Sequence, residues 1–564
     1  MIGFSAEDWY QKASAASQTG DLVGALGAIH EGLKAFPETP FLWHAGGSVL
    51  MMQGRHVDAA EHFGKAFSLE PKQFDHAVDQ AIALNATGRN REAHSVLKKI
   101  EKKGSKFSHY CSTRANAERA LADLTNAARW YDRALRIEPD RPKAVMGRAD
   151  VAMERGEAKA LQWAERALKL DPGNPVLWLA KAQALDHAGD HDGAIVIMEQ
   201  IIAQAPGFTE AHRWLAQLRH TRGDADFASH FAAAAKQAPQ DPNIPAIWAK
   251  TLAGFGRDAE AADVAATARK AGTEEAHFAM LEAVYAGAAG DHERAEAIFA
   301  DLDDTSLDRL THEARHRIRR AEFDAAENLL NQALARAPSD IGSWALLDMI
   351  WRLTDNPRAE WLHGQSDLIQ MRDLQCSDRL IDQTIAELRK LHDGAGQPLG
   401  QSVRGGTQTR GRLLERTEKV FADLRRAIWR TLDDYRKALP PADPAHPLLA
   451  HRDAYWQLQG SWSVRLTGGG PHHASHIHPN GIVSSALYLV VPDAAQDDAK
   501  QEGWLELGSP PVDLALDLAP LTKIQPKRGQ LALFPSTLYH GTSPFGADPG
   551  GERMTAVFDV VLSR

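Results

Sequence analysis

The sequence predicts a multidomain α + β chain, with an all-α helical array over residues 1–360, a helical connector over 361–450 and a β domain over 451–564. Three observations predict it. Turn glycines recur through the first two-thirds of the chain at gaps of 33 or 34 residues. Prolines keep the same beat. From Tyr455 onward the apolar period changes to two, and clusters of Gly, Pro and Asp cut the alternation into short runs.

Bulk properties narrow the field. A chain of 564 residues exceeds what one core can hold. Its 44% hydrophobic and 24% charged content fits a soluble globular protein. The net charge of −10 argues against a general nucleic-acid or acidic-membrane binder. Only Cys111 and Cys376 occur, far apart, which argues against a disulfide framework or a thiolate zinc site. No apolar run reaches membrane-spanning length, and the first residues lack a basic-then-apolar leader pattern. A cytoplasmic location is the resulting expectation.

The array comes first. Its glycines are Gly20, Gly54, Gly88, Gly156, Gly189, Gly223, Gly256 and Gly290, with one double gap of 68 residues. Its prolines are Pro37, Pro71, Pro139, Pro172, Pro206 and Pro239. In residues 40–73, Trp43, Gly47 and Leu50 share one helical face, and Ala59, Phe63 and Ala66 share another after the turn at Gly54. Pro71 stops the second helix, because it has no amide hydrogen and its ring clashes with the preceding turn. Small residues at Gly47 and Ala59 let the two helices approach. Ala93, Ala127, Ala160 and Ala194 hold the position of Ala59 in later units. This pattern resembles the tetratricopeptide repeat, in about ten units over residues 5–355. The stretches Ser105–Asp140 and Leu307–Pro338 lack the glycine turn. The resemblance implies a solenoid whose groove takes an extended peptide or partner protein; a purely structural scaffold is the alternative. Oligomeric state is not legible.

In the connector, Ser377–His392 and Leu413–Leu439 carry helical patterns, the second with Val420, Leu424, Ile428, Leu432 and Tyr435 at helical spacing. Between them, Gly400–Gly411 reads either as a flexible polar loop or as a flap facing substrate with Arg404 and Gln408.

Six runs of the β domain are expected as strands: Tyr455–Leu466, Ile482–Val491, Gly503–Leu507, Gly529–Phe534, Tyr539–Ser543 and Arg553–Leu562. Short strands at this spacing indicate a sandwich or barrel. On an extended segment His476 and His478 point to one side, so both can reach one metal ion, and His540 can close the site from a later strand. Arg553 opens the last strand with Thr555 on the same face. A buried arginine there can grip a carboxylate in a two-pronged ion pair. His472 and His473, beside the turn Gly468–Pro471, are expected to be solvent-exposed, and Trp462 and Trp504 to be core aromatics.

Together, His476-Ile477-His478-Pro479, Leu487-Tyr488-Leu489, Gly529–Pro535, His540 and Arg553 resemble the Fe(II)- and 2-oxoglutarate-dependent dioxygenases, and specifically a bacterial branch of them. Gln401–Gly411 is similar to that branch's N-terminal signature, so the resemblance spans about residues 365–564. It implies a double-stranded β-helix (jelly roll), Fe(II) on His476, His478 and His540, 2-oxoglutarate held by Arg553 with Thr555, and O2 as oxidant. Tyr488 and Ser485 either hydrogen-bond the co-substrate or simply pack. The commoner triad has a carboxylate where His478 stands; either three imidazoles bind, or only His476 and His540 with water in the third place. Fused to repeats, such a domain points to a hydroxylase of protein or peptide side chains. A small-molecule oxygenase, a non-catalytic repeat adaptor and a cupin-like three-histidine dioxygenase remain alternatives, the last disfavoured by Arg553. The substrate and the modified residue type cannot be read.

Overall fold

The computed structural model describes residues 4–272, 274–393, 403–467, 472–546 and 551–562. The turn Gly468–Pro471, with Gly400, Gln401 and Ser402 of the connecting segment, lies outside these. The chain divides between Gly173 and Asn174 into two compact units.

In the first unit, α-helices run in pairs from Ala6–Gln18 to Ala160–Leu170. Pro40–Met52 and His56–Leu69 show why. Pro40 starts the first helix, where its missing N–H costs nothing. Gly54 turns the chain at φ +74°, a left-handed conformation that glycine adopts without strain. A Cβ on Gly47 would sit 2.7 Å from the Phe63 ring, so the second helix packs directly on that glycine. Leu50, Ala59, Phe63 and Ala66 are buried between them. The unit without a turn glycine folds the same way. Ser108–Ala120 and Leu124–Ile137 are joined through Ala122, 34 residues after Gly88, at φ +59°.

The second unit opens with helices from Pro175–His187 to Ile341–Leu353. Ala321, at φ +57°, again stands in for a turn glycine, between Leu307–Arg319 and Phe323–Arg336. The β domain follows. Its strands are β1 (Gln370–Asp373), β2 (Val403–Arg404), β3 (Gly406–Gln408), β4 (Trp456–Thr467), β5 (His472–His473), β6 (Val483–Val490), β7 (Leu505–Leu507), β8 (Thr522–Ile524), β9 (Gln530–Pro535), β10 (His540–Thr542) and β11 (Glu552–Leu562). Six form one sheet in the order β1-β9-β6-β11-β4-β3, β10-β7-β8 form a second, and β2 pairs with β5. Every pairing is antiparallel. Each of the six expected runs contains a strand.

Helices Asp378–Asp393 and Lys419–Ala438 cover one face of the large sheet. Ile381, Ile385, Leu388, Phe421, Leu424, Ile428 and Leu432 pack there on Leu458, Leu487, Leu531 and the even-numbered residues of β11: Met554, Ala556, Phe558 and Val560. The odd-numbered residues of β11 therefore face away from the helices. The second connector helix starts six residues later than the sequence pattern indicates. Leu413–Glu415 form only a 3-10 turn, because the Leu414 N–H donates to Ser461 Oγ (2.9 Å) on β4. Gly406–Gln408, expected as loop or flap, is an edge strand on β4. Gly406 approaches so closely that a Cβ would meet the Arg465 carbonyl at 2.4 Å. Gly460 makes a bulge: Ser461 opposes Phe558 and Gln459 opposes Asp559, and Gly460 between them has φ +64°. No helix among the described residues is long and apolar enough to cross a membrane.

Candidate metal centre

His476 and His540 exchange backbone hydrogen bonds, N–H to carbonyl in both directions, at 3.0 and 2.9 Å. That bridge brings their ring centroids to 4.3 Å. His478, two residues along an extended segment, joins them at 5.1 and 5.0 Å. One ring nitrogen from each of the three lies within 4.8 Å of the others.

Hydrogen bonding decides which nitrogens face inward. His476 Nδ1 is 2.8 Å from the Ala474 carbonyl. His540 Nδ1 is 3.0 Å from the Leu538 carbonyl. His478 Nδ1 bonds the carboxylate of Asp559. An acceptor opposite Nδ1 requires the proton there and directs the Nε2 lone pair to the centre of the cluster. Burial also keeps the His476 and His540 rings neutral, as metal ligation requires. Desolvation, with the neighbouring His478, holds His476 down to about 3. Desolvation and the adjacent imidazoles hold His540 well below the ordinary histidine range.

Asp559 was not anticipated, yet a signal existed. Arg553, Thr555, Val557 and Asp559 alternate along β11, and the first three line the same cavity as the histidines. The Gly460 bulge lies on β4, so the alternation of β11 is unbroken there. The carboxylate that the commoner triad places on the metal is present here one hydrogen bond further out.

The cavity, about 50 Å³, is also lined by Gln408, Trp462, His473, Ser485, Phe534 and Thr542. Arg553 is 2% exposed, and its Nε is buried without a hydrogen-bond partner among the described residues. Its guanidinium lies 5.2 Å from the Tyr488 ring centroid, and the Tyr488 hydroxyl is buried beside it. Burial lowers the arginine's proton affinity, and the group that favours its charge is Tyr488 rather than a carboxylate. Such a cation is a ready receptor for a ligand carboxylate. The residues thus fit both groups the resemblance implies: three imidazoles gathered within reach of one point suit a metal with open positions, and a buried guanidinium without an ion pair among the described residues suits 2-oxoglutarate.

Other residues differ from expectation. The Ser485 hydroxyl donates to the Phe558 carbonyl (2.6 Å) and accepts the Phe558 N–H (2.9 Å). Its one proton is therefore used to tie β6 to β11. Arg404 is exposed on β2, and its Nη1 donates to the Val403 carbonyl (3.1 Å), outside the cavity that Gln408 lines. His473 is half-buried and stacks on His476 at 5.9 Å, instead of lying in solvent, because β5 is held by β2. Trp462 borders the cavity, with its ring 5.7 Å from His478, and is not simply a core residue.

Repeat helices brace the segment before His540. Arg315 donates to Tyr539 Oη (2.8 Å) and to Asp513 (2.6 Å), which also accepts from Arg319 (2.7 Å). His363 bridges Thr537 Oγ1 (2.8 Å) and the buried Asp348 (2.7 Å) of helix Ile341–Leu353.

Comparison with known proteins bears on this geometry. Residues 460–559 match the family described as "Putative 2OG-Fe(II) oxygenase". Residues 112–175 and 158–218 match two tetratricopeptide repeat families. The chain is thus similar to tetratricopeptide repeats in its helical part and to the described 2OG-Fe(II) oxygenase family in its β domain. Solved structures similar to this chain include a tetratricopeptide repeat protein from Parabacteroides merdae (17% identity, 50% of this chain, 98% of that one, TM-score 0.31). PilF of Pseudomonas aeruginosa is another (17% identity, 37% and 96%, TM-score 0.33). No curated protein matches the sequence.

Proposed function

We propose that the protein is an Fe(II)- and 2-oxoglutarate-dependent oxygenase that hydroxylates a side chain of a protein or peptide. The observation that carries the reading is the juxtaposition in one cavity of three imidazoles and a buried guanidinium with no acid among the described residues to balance it. His476, His478 and His540 hold the metal. Arg553 takes the distal carboxylate of 2-oxoglutarate, with Thr555 beside it on β11 and Tyr488 Oη as a further donor. When bound, the iron, the keto acid and O2 supply the oxidising power for C–H hydroxylation. The protein's part is to fix the rings through their Nδ1 partners, to neutralise the co-substrate, and to keep water out of a narrow cavity walled by Trp462 and Phe534. A dianionic co-substrate also balances a site that lacks the usual carboxylate ligand.

The test is anaerobic titration with Fe(II), followed by 2-oxoglutarate and air. One equivalent of metal and the formation of succinate are expected. His540→Ala removes both to background. Arg553→Lys leaves metal binding intact and raises the apparent 2-oxoglutarate KM by about 10- to 100-fold, the cost of losing a two-pronged charged contact. Succinate formation that is indifferent to Arg553→Lys would remove the basis of the assignment.

A further inference from the structure

Beside the metal cavity lies a second, larger hollow of about 380 Å³. One wall is the repeat helix Thr209–Thr221, through Arg213, Trp214, Gln217, Leu218 and Thr221. The opposite wall is Gln408–Gly411 with Gly460–Trp462. Gln408 and Trp462 line both hollows, so they form the wall the two share.

The walls are fastened together. Arg410 donates to the Asp186 carbonyl (2.7 Å) and carboxylate (2.9 Å) on helix Pro175–His187, and Asp186 is 1% exposed. Thr409 is bonded to Ser463 of β4 through backbone and side chain. The bulge at Gly460 forms part of the rim.

Size and charge describe the occupant. The outer hollow is several times larger than the inner one and open to solvent, whereas the inner one admits only a short group. That two-tier shape fits a chain segment lying outside with one side chain turned inward. Indoles of Trp214 and Trp462 offer flat apolar faces on opposite walls. The lining contains Arg213 and Arg410 but no Asp or Glu, although these make up 74 of the 564 residues. Arg410 is balanced by Asp186. Arg213 is exposed and makes no ion pair among the described residues. An acid-free lining in a chain of net charge −10 selects a ligand of the opposite sign.

We propose that this cleft docks an extended acidic peptide, whose modified side chain reaches the metal centre between Gln408 and Trp462. The proposal rests on the oxygenase reading above and adds the class of substrate and the surface that selects it. A repeat helix thereby forms part of the substrate site itself.

The test uses the metal-free full chain, so binding is read independently of turnover. A random dodecapeptide phage library is selected on immobilised protein. The most enriched peptide is then synthesised with a fluorophore and titrated by anisotropy. Enrichment of Asp and Glu is expected, with affinity falling at least tenfold in Arg213→Glu and in Trp214→Ala. Thermal melting checks that both variants fold, and Arg213→Gln serves if the reversal does not. Neutral or basic selected peptides, equal binding by the folded variants, or no enrichment at all would overturn the proposal. Succinate formation by the wild-type enzyme alongside any of these results would leave the oxygenase reading standing and discard only the docking site.

Discussion

The repeats and the β domain solve the same problem, fixing side chains in space, by opposite means. In the repeats one role is copied many times. A helix-packing alanine recurs at Ala59, Ala93 and Ala127, and a left-handed turn recurs even where glycine is missing, at Ala122 and Ala321. An imperfect copy is carried by its neighbours. In the β domain each role is filled once. A single carboxylate, Asp559, bonds His478, and a single guanidinium, Arg553, is buried in the cavity without an ion pair among the described residues. Redundancy should therefore buffer substitutions in one region and not in the other.

The sharpest challenge to that contrast lies where a repeat helix braces the metal site. Asp513 accepts from both Arg315 and Arg319, and its carboxyl is held below the ordinary range because the two guanidiniums outweigh the opposing effect of burial. Asp513→Ala should cost about 2–3 kcal/mol in urea unfolding, somewhat less than a fully buried pair would. The sign with pH follows. A depressed carboxyl pKa contributes stability above its unfolded value near 3.8, which is lost as pH falls through the folded value, so wild type and variant should converge in acid. Persistence of the difference at acid pH would break the ionic account. Next comes Asp559→Asn, expected to weaken Mn(II) or Fe(II) affinity by about 10- to 100-fold, measured by calorimetry, with the fold intact by circular dichroism. An unchanged affinity would mean that His478 contributes no bond to the metal. The smallest effect belongs to the repeats: Ala122→Gly and Ala321→Gly should each stabilise by about 1 kcal/mol in thermal unfolding, since a left-handed alanine is strained by roughly that much. No gain would show that neighbouring helices, not the turn residue, set the turn.

How much of this was legible depended on pattern length. Strands β4, β6, β7, β9, β10 and β11 coincide with the predicted runs, which β4, β9 and β11 overrun by one residue, because alternation and turn residues mark them. Strands β1, β3 and β8 lie at sheet edges, and β2 and β5 pair only with each other. With two to four residues each, they are too short to show a period and are set by their partners. The site was legible through its chemistry: three histidines and an arginine are rare in such an order. Asp559 escaped although it continues the alternation from Arg553. His473 escaped because its burial depends on β2, some seventy residues earlier. Ser485 stayed open between the co-substrate and packing because its bonds to Phe558 occupy a gap in the β6–β11 ladder between Ala556 and Asp559, which no sequence pattern announces.

The contacts of Arg315 with Tyr539, and of Asp348 through His363 with Thr537, have a practical corollary. The β domain is not a detachable cassette. A gene fragment opened near codon 361 would encode His476, His478 and His540 yet lose Arg315 and Asp348, and moving the β domain into another protein means taking the three helices from Leu307 to Leu353 along with it.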